Sequence, residues 1–358
     1  MQLELITGEA NERAFFDASA AVLARDPNFV RVPDSDLRAV FDPAKNRLYD
    51  KGATSVRYVL RDERGELVGR IAAFVQKTSE PREGGFGFFD CIEDAEAARL
   101  LLNAAESFLA TQGLRTVIGP TNFGERDRFS GALTKGFLPP LFHENYNPPY
   151  YEVLLRALGY VPSQTASTYL VDYDRHLDEA KSRRQHCEAR VLRSPHRVEC
   201  VTYGPNDEDK IVPAFLRVYG AAFKRGESAT SLGLDGEQAS RAVRAYRDLI
   251  VPGLNWFAHV NGEPAGFCLF IPNVNELLRG RPPQEAKGIA FAVHPDFHGQ
   301  GIGARMALSL DTFMLTSTVY RRLYLTGIAH YSGPMNNLAE NFLCGKVERV
   351  HTTFRKDL

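Results

Sequence analysis

The segment Ala292–Leu308, AVHPDFHGQGIGARMAL, places Gly299, Gly301 and Gly303 between an apolar run and residues with helical spacing. Glycine this dense at a helix start leaves backbone N–H groups uncovered, a common way to hold a phosphate. Three kinds of loop compete for the pattern. A nucleotide P-loop ends in Gly-Lys-Ser/Thr, whereas Gly303 is followed by Ala304 and Arg305. A dinucleotide fingerprint needs G-x-G-x-x-G and an acidic residue closing the next strand. The spacing here is G-x-G-x-G, and the next apolar stretch, RRLYLTG, carries no carboxylate.

The third kind fits. His298-Gly299-Gln300-Gly301-Ile302-Gly303 resembles the Q/R-x-x-G-x-G/A signature of the Gcn5-related N-acetyltransferase (GNAT) superfamily, there preceded by Val-x-Pro, here Val293-His294-Pro295. The resemblance implies acetyl-CoA or a longer acyl-CoA as co-substrate, without a metal. It lays the pyrophosphate on the N–H groups of Gly299, Gln300, Gly301, Ile302, Gly303 and Ala304, beside His298. The pantetheine arm would pair with the strand edge at Phe291, Ala292 and Val293, with the Val293 N–H facing the oxyanion. One departure is His298, which stands where Gln or Arg is usual.

Family members transfer an acyl group from the thioester directly to an amine, often with a tyrosine acid in an N-x-x-A-x-x-x-Y pattern. Asn336, also assigned to the cofactor, and Ala339 fit that pattern, but Phe342 and Leu343 occupy the tyrosine region. His330 and Tyr331 follow the strand RRLYLTG and are the alternatives; a histidine titrates near neutrality and suits proton removal from an ammonium. His330 also reads as an ordinary loop residue. Glu285 reads as a water-mediated base or an exposed carboxylate, Tyr324 as packing or a substrate wall, and Cys268 as a small core residue.

The elements that must position these groups occur twice along the chain. QLELIT resembles RVECVT, RDERGELVGRIAAFV resembles HVNGEPAGFCLFI, and GFGFF resembles GIAFAV. Each third segment precedes a helix, expected near Ala95–Gln112 and Gly301–Leu315, and each helix precedes a further strand. Asn147–Tyr160 matches Asn336–Val347 in outline. The order strand, helix, hairpin, strand, helix, strand, helix, strand therefore repeats. The expected fold class is α/β (α+β): two tandem GNAT-like domains with mixed central sheets flanked by helices. The domains are expected at 1–172 and 197–358, joined by a charged helical linker at 173–196.

Where the second copy carries glycines, the first reads FDCIEDAEAARLLL, with Asp90, Glu93, Asp94 and Glu96. Carboxylates at a helix start suit its dipole but repel a pyrophosphate. The first copy is thus expected to bind no coenzyme A and to contribute to the acceptor site. Its long stretch Gly119–Tyr151 carries Phe142, Tyr146 and Tyr150, which either line the acceptor pocket or seal the interface between the copies.

Bulk composition narrows the partners. The 358 residues carry 43 Lys plus Arg against 44 acidic residues, a net charge of -1, which argues against a nucleic-acid surface. The five cysteines are scattered and odd in number, pointing to reduced thiols in a cytoplasm rather than a disulfide framework or a zinc site. No secretory signal or apolar run of membrane-spanning length is visible, so a cytoplasmic protein, with room for peripheral contact with the inner membrane, is expected. The acceptor is read as a small-molecule or lipidic amine, and the chain as a whole resembles the group containing bacterial ceramide synthases. Two alternatives stand beside this reading: a Fem-like aminoacyl-tRNA-dependent transferase, and an acyl-CoA sensor without catalysis.

Overall fold

The structure, a computed structural model, describes residues 1–46, 48–76, 83–123, 128–175, 188, 198–223 and 236–358. Most of the expected linker, from 176 onward, lies outside the described residues; Tyr173–Arg175 form a turn. The chain divides into two compact units. Among the described residues, unit 1 comprises Met1–Ala166 and Arg349–Leu358, and unit 2 runs from Ser167 to Glu348.

Unit 1 is a mixed sheet in the order β1 (Gln2–Leu5), β2 (Thr54–Arg61), β3 (Leu67–Gln76), β4 (Glu83–Cys91), β5 (Thr116–Gly119), β13 (Lys346–Asp357). Pairing is antiparallel from β1 to β4, parallel between β4 and β5, and antiparallel between β5 and β13. A short strand β6 (Ala132–Lys135) also pairs with β13. Helices α1 (Glu9–Leu23), α2 (Asp34–Phe41), α3 (Ala95–Thr111) and α4 (Tyr150–Ala157) complete the unit. In α3, Ala97, Ala98, Leu101, Leu102, Ala105 and Leu109 are all buried, a stripe of three- and four-residue spacing that packs on the sheet. A buried ion pair joins Arg70 to Asp90, 2.6 Å apart, with the same guanidinium donating to the Phe15 carbonyl.

Unit 2 repeats the plan. Its strands run β8 (Val198–Val201), β9 (Asn255–Val260), β10 (Glu263–Pro272), β11 (Glu285–Val293), β12 (Arg322–Ala329), with β7 (Val161–Asp172) beside β12. Pairing is antiparallel from β8 to β11 and parallel between β11 and β12. Helices α5 (Glu208–Ala222), α6 (Gly236–Ala245), α7 (Val274–Leu278), α8 (Ile302–Thr316) and α9 (Gly333–Asn337) accompany it. The helices expected over Ala95–Gln112 and Gly301–Leu315 are found at Ala95–Thr111 and Ile302–Thr316.

Three coincidences of register make the duplication concrete. Gly69 of β3 lies opposite Cys91 of β4, and Gly266 of β10 lies opposite Val293 of β11. Both glycines are places where a helix side chain approaches the strand too closely for a Cβ: Leu101 of α3 at 2.6 Å and Met306 of α8 at 2.8 Å. Each copy then carries one extra residue in the same strand, between Asp90 and Gly87 and between Ala290 and Gly288. Such a bulge turns the strand edge beyond it away from its neighbour.

Candidate functional site: a strand edge and a glycine turn

The parallel ladder of β11 and β12 pairs Glu285 with Arg322, Ala286 with Leu323 and Lys287 with Tyr324, and then stops. The Thr326 hydroxyl donates to the Gly288 carbonyl at 2.8 Å, immediately before the bulge. Beyond it β11 keeps its antiparallel partner: Phe267 opposes Ala292, and the His294 amide donates to the Ala265 carbonyl at 2.9 Å. Backbone groups of successive residues alternate sides. With His294 and Ala292 turned to β10, the N–H and C=O of Phe291 and Val293 point to the side where β12 has left. Among the described residues no acceptor takes the Val293 amide.

The chain then makes a tight turn. Pro295–Phe297 is a single 3-10 turn, and the His298 Nε2 lies 3.1 Å from the Val293 carbonyl. A carbonyl only accepts, so this nitrogen carries the proton and donates. The contact ties the turn to the strand end. The Gln300 side-chain Nε2 donates to the Asp296 carbonyl at 3.2 Å. Gly299 and Gly301 both have positive φ, 77° and 76°, and a Cβ at either position would face open space. Gly301 is the N-cap of α8 without a capping side chain. The amides of Gly299, Gly301, Ile302, Gly303 and Ala304 find no acceptor among the described residues. Ile302 itself is buried, so only its backbone is presented. Five amides at a helix start, next to an exposed strand edge, fit a diphosphate followed by an extended amide-bearing arm.

Unit 1 has the same frame, closed. The β4–β5 ladder holds at Gly85 and Ile118, and Gly85 stands as far before Cys91 as Lys287 before Val293. The Thr121 amide then donates to the Phe86 carbonyl at 2.8 Å, and a Cβ on Gly87 would lie 1.9 Å from the Thr121 carbonyl oxygen. The chain itself thus fills the place that β12 vacates in unit 2. Ile92 donates to the Val68 carbonyl as His294 does to Ala265, so Cys91 presents its backbone on the side that Val293 does. There the Cys91 amide donates to the Tyr151 hydroxyl at 2.9 Å, and the Tyr150 hydroxyl donates to the Cys91 carbonyl at 2.8 Å. The Asp94 carboxylate accepts from the Ala97 amide at 2.7 Å, capping α3. Burial holds both tyrosine hydroxyls and the Cys91 thiol protonated, the thiol near a pKa of about 12.

The other residues singled out in the sequence are placed as follows. His330 and Tyr331 are exposed just past β12, their rings edge to face at 5.7 Å. The Asn336 amide donates to the carbonyls of Ala329, His330 and Ser332 at 3.0–3.1 Å, and its oxygen accepts from the Tyr169 hydroxyl at 2.9 Å. The three donated bonds hold this turn. Burial and the neighbouring Glu340 push the Tyr169 hydroxyl up to about 12. Past α9, Leu338–Phe342 form one wide π turn. Glu285 has one oxygen on Arg322 and the other on Asn273, both at 2.7 Å, and Cys268 is fully buried with its thiol pushed up by burial. In unit 1, Tyr146 donates to Asp26 at 2.7 Å and Phe142 stacks on His143 at 3.7 Å. Tyr151 is one of the aromatics of the Gly119–Tyr151 stretch; what sequence reasoning did not give is the partner of its hydroxyl. None of the four cysteines among the described residues forms a disulfide. No helix of the described residues is long and apolar enough to cross a membrane.

Comparison with known proteins agrees with this geometry. Residues 224–341, which include β11, the glycine turn and α8, match the Acetyltransferase (GNAT) family. The bacterial ceramide synthase of Caulobacter vibrioides (strain NA1000 / CB15N) is 26% identical over 276 residues, 75% of this chain and 69% of that protein. Protein YghO of Escherichia coli (strain K12) is 34% identical over 101 residues, 27% of this chain and 26% of that protein. Among solved structures, a tandem GNAT protein from the clavulanic acid biosynthesis pathway has a TM-score of 0.61 at 15% identity, covering 99% of this chain and 98% of that one. That likeness speaks for the fold alone. The likeness of residues 224–341 to the GNAT family and of the chain to the ceramide synthase supports an acyl-CoA-dependent N-acyltransferase, on a fold shared with tandem GNAT proteins.

Proposed function

We propose that the chain moves a fatty acyl group from coenzyme A to the primary amine of a long-chain, sphingoid-type acceptor, with unit 2 holding one acyl-CoA and unit 1 holding none. The observation that carries this reading is the open backbone edge at Phe291 and Val293, leading into five unpaired amides from Gly299 to Ala304. Those amides would hold the pyrophosphate, and the outward groups of Phe291 and Val293 would pair with the pantetheine arm. The acceptor class rests on the bacterial ceramide synthase among the relatives.

In the reaction, the amine nitrogen bonds to the thioester carbonyl carbon, negative charge gathers on its oxygen, and the C–S bond then breaks. The Val293 N–H faces that oxygen; one preorganised donor of this sort is worth about 100–1,000-fold in rate. His330 removes the proton from the incoming ammonium, and the departing thiolate takes a proton from solvent or the returning His330. Transfer is direct, and neither Glu285, committed to Arg322 and Asn273, nor the buried Cys268 thiol carries the acyl group.

The test is mass spectrometry of the protein incubated with acetyl-CoA or palmitoyl-CoA and a panel of amines from short polyamines to long-chain amino alcohols. The reading expects amide formation with palmitoyl-CoA and a long-chain amine. Transfer only to short amines would overturn the acceptor class. Tight acyl-CoA binding without any product would make the protein a sensor instead.

A further inference from the structure

We infer that the knob formed by Asn273–Glu285 at the start of β11 is a docking surface for an anionic phospholipid bilayer. Leu277 and Leu278 are consecutive and more than half exposed (53% and 51%), an adjacent pair rather than a singly scattered apolar side chain. Val319 is also half exposed, and its turn is pinned to the knob by the Arg321 amide, which donates to the Gln284 carbonyl at 2.9 Å.

The knob is rigid. One Glu276 carboxylate oxygen accepts the amides of both Gln284 and Glu285, at 2.8 and 2.9 Å, closing the loop on itself. Gly280, at φ 71°, ends α7, and the Arg281 amide returns to the Glu276 carbonyl at 2.8 Å. The leucines are therefore held outward by a closed frame.

Charge selects the occupant. Arg279 and Arg281 follow the leucines, both exposed, and neither guanidinium has a carboxylate partner among the described residues. The nearby carboxylates are spoken for: Glu276 faces inward, Glu285 pairs with Arg322, and Asp174 pairs with Arg321. The knob thus presents apolar tips followed directly by unpaired positive charge. A symmetric contact with a second copy would set like charges against each other. An anionic headgroup layer over an acyl interior satisfies both features at once. The inference does not depend on the acyl-transfer reading, because it concerns residues outside that site.

The experiment is flotation of the full chain with vesicles of phosphatidylglycerol and phosphatidylcholine, compared with phosphatidylcholine alone, at low salt. Flotation with the anionic vesicles only is expected. Replacing Arg279 and Arg281 with Gln should weaken it roughly thirtyfold, five- to sixfold per arginine. Leu277→Ser with Leu278→Ser should abolish it at low lipid. Both variants should keep the wild-type circular dichroism and coenzyme A affinity, because these side chains support nothing in the fold. Equal flotation with neutral vesicles, flotation unchanged in either variant, or no flotation of the wild type would overturn the inference. So would a dimer that the serine variant dissolves.

Discussion

Cys91 and Val293 hold the same place in the two copies, opposite Gly69 and Gly266, yet only one of them has a satisfied amide. The Cys91 N–H ends on the Tyr151 hydroxyl at 2.9 Å, whereas the Val293 N–H meets no acceptor among the described residues. An inward tyrosine therefore plays in unit 1 the part that a bound thioester would play in unit 2. The cost of leaving such a group unpaired in a buried place is about 1–3 kcal/mol, which explains why the closed copy carries its own partner.

Tyr151→Phe removes that partner and leaves a buried amide unpaired. The variant should lose about 1–3 kcal/mol of unfolding free energy, read by urea denaturation with an unchanged slope. Its coenzyme A stoichiometry should stay at the wild-type value. A variant as stable as wild type would mean that water or a shifted strand serves the Cys91 amide equally well.

His330→Ala is expected to lower kcat by about 100-fold at neutral pH, the usual scale of a lost general base. The acidic limb of the kcat/KM profile should flatten, while coenzyme A affinity stays the same. If the profile keeps its shape, His330 is a surface residue of the turn that Asn336 holds and takes no part in proton removal.

Asp36 is paired with His143 at 3.1 Å, and this hydrogen bond is the main reason its carboxyl titrates below the ordinary 3.8. A carboxylate whose folded pKa is depressed stabilises the fold above its unfolded pKa and loses that contribution as the pH falls through the folded value. The wild type should therefore exceed Asp36→Asn in stability at pH 6, and the difference should shrink below pH 4. A gap that stays constant down to pH 2 would assign the difference to packing rather than to charge.

The glycine turn was legible because both its spacing and its Val-x-Pro flank are local. The two main sheet-packing helices were legible because their apolar stripes repeat every three to four residues. Other features depended on distance in sequence. β7 and β13 read alike as strands ending each copy, but β13 lies beside β5 and β7 beside β12, and alternation alone names no neighbour. The extra residue in β4 and in β11 leaves no mark in composition. Tyr150 and Tyr151 read as pocket aromatics, and only the fold brings their hydroxyls to Cys91. Asn336 was assigned to the cofactor through the family pattern, and only the fold shows that its side-chain amide ties the turn after β12.

The most direct test of the central claim is calorimetric titration of coenzyme A into the wild type and into Gly303→Glu. Position 303 has ordinary room for a Cβ, 3.5 Å from Phe291, so the change adds bulk and negative charge at the amide row while sparing the fold. One site per chain in the wild type, lost by at least 100-fold in the variant, is the result that the open turn of unit 2 and the closed edge of unit 1 require. Two sites per chain, or undiminished binding by Gly303→Glu, would contradict it.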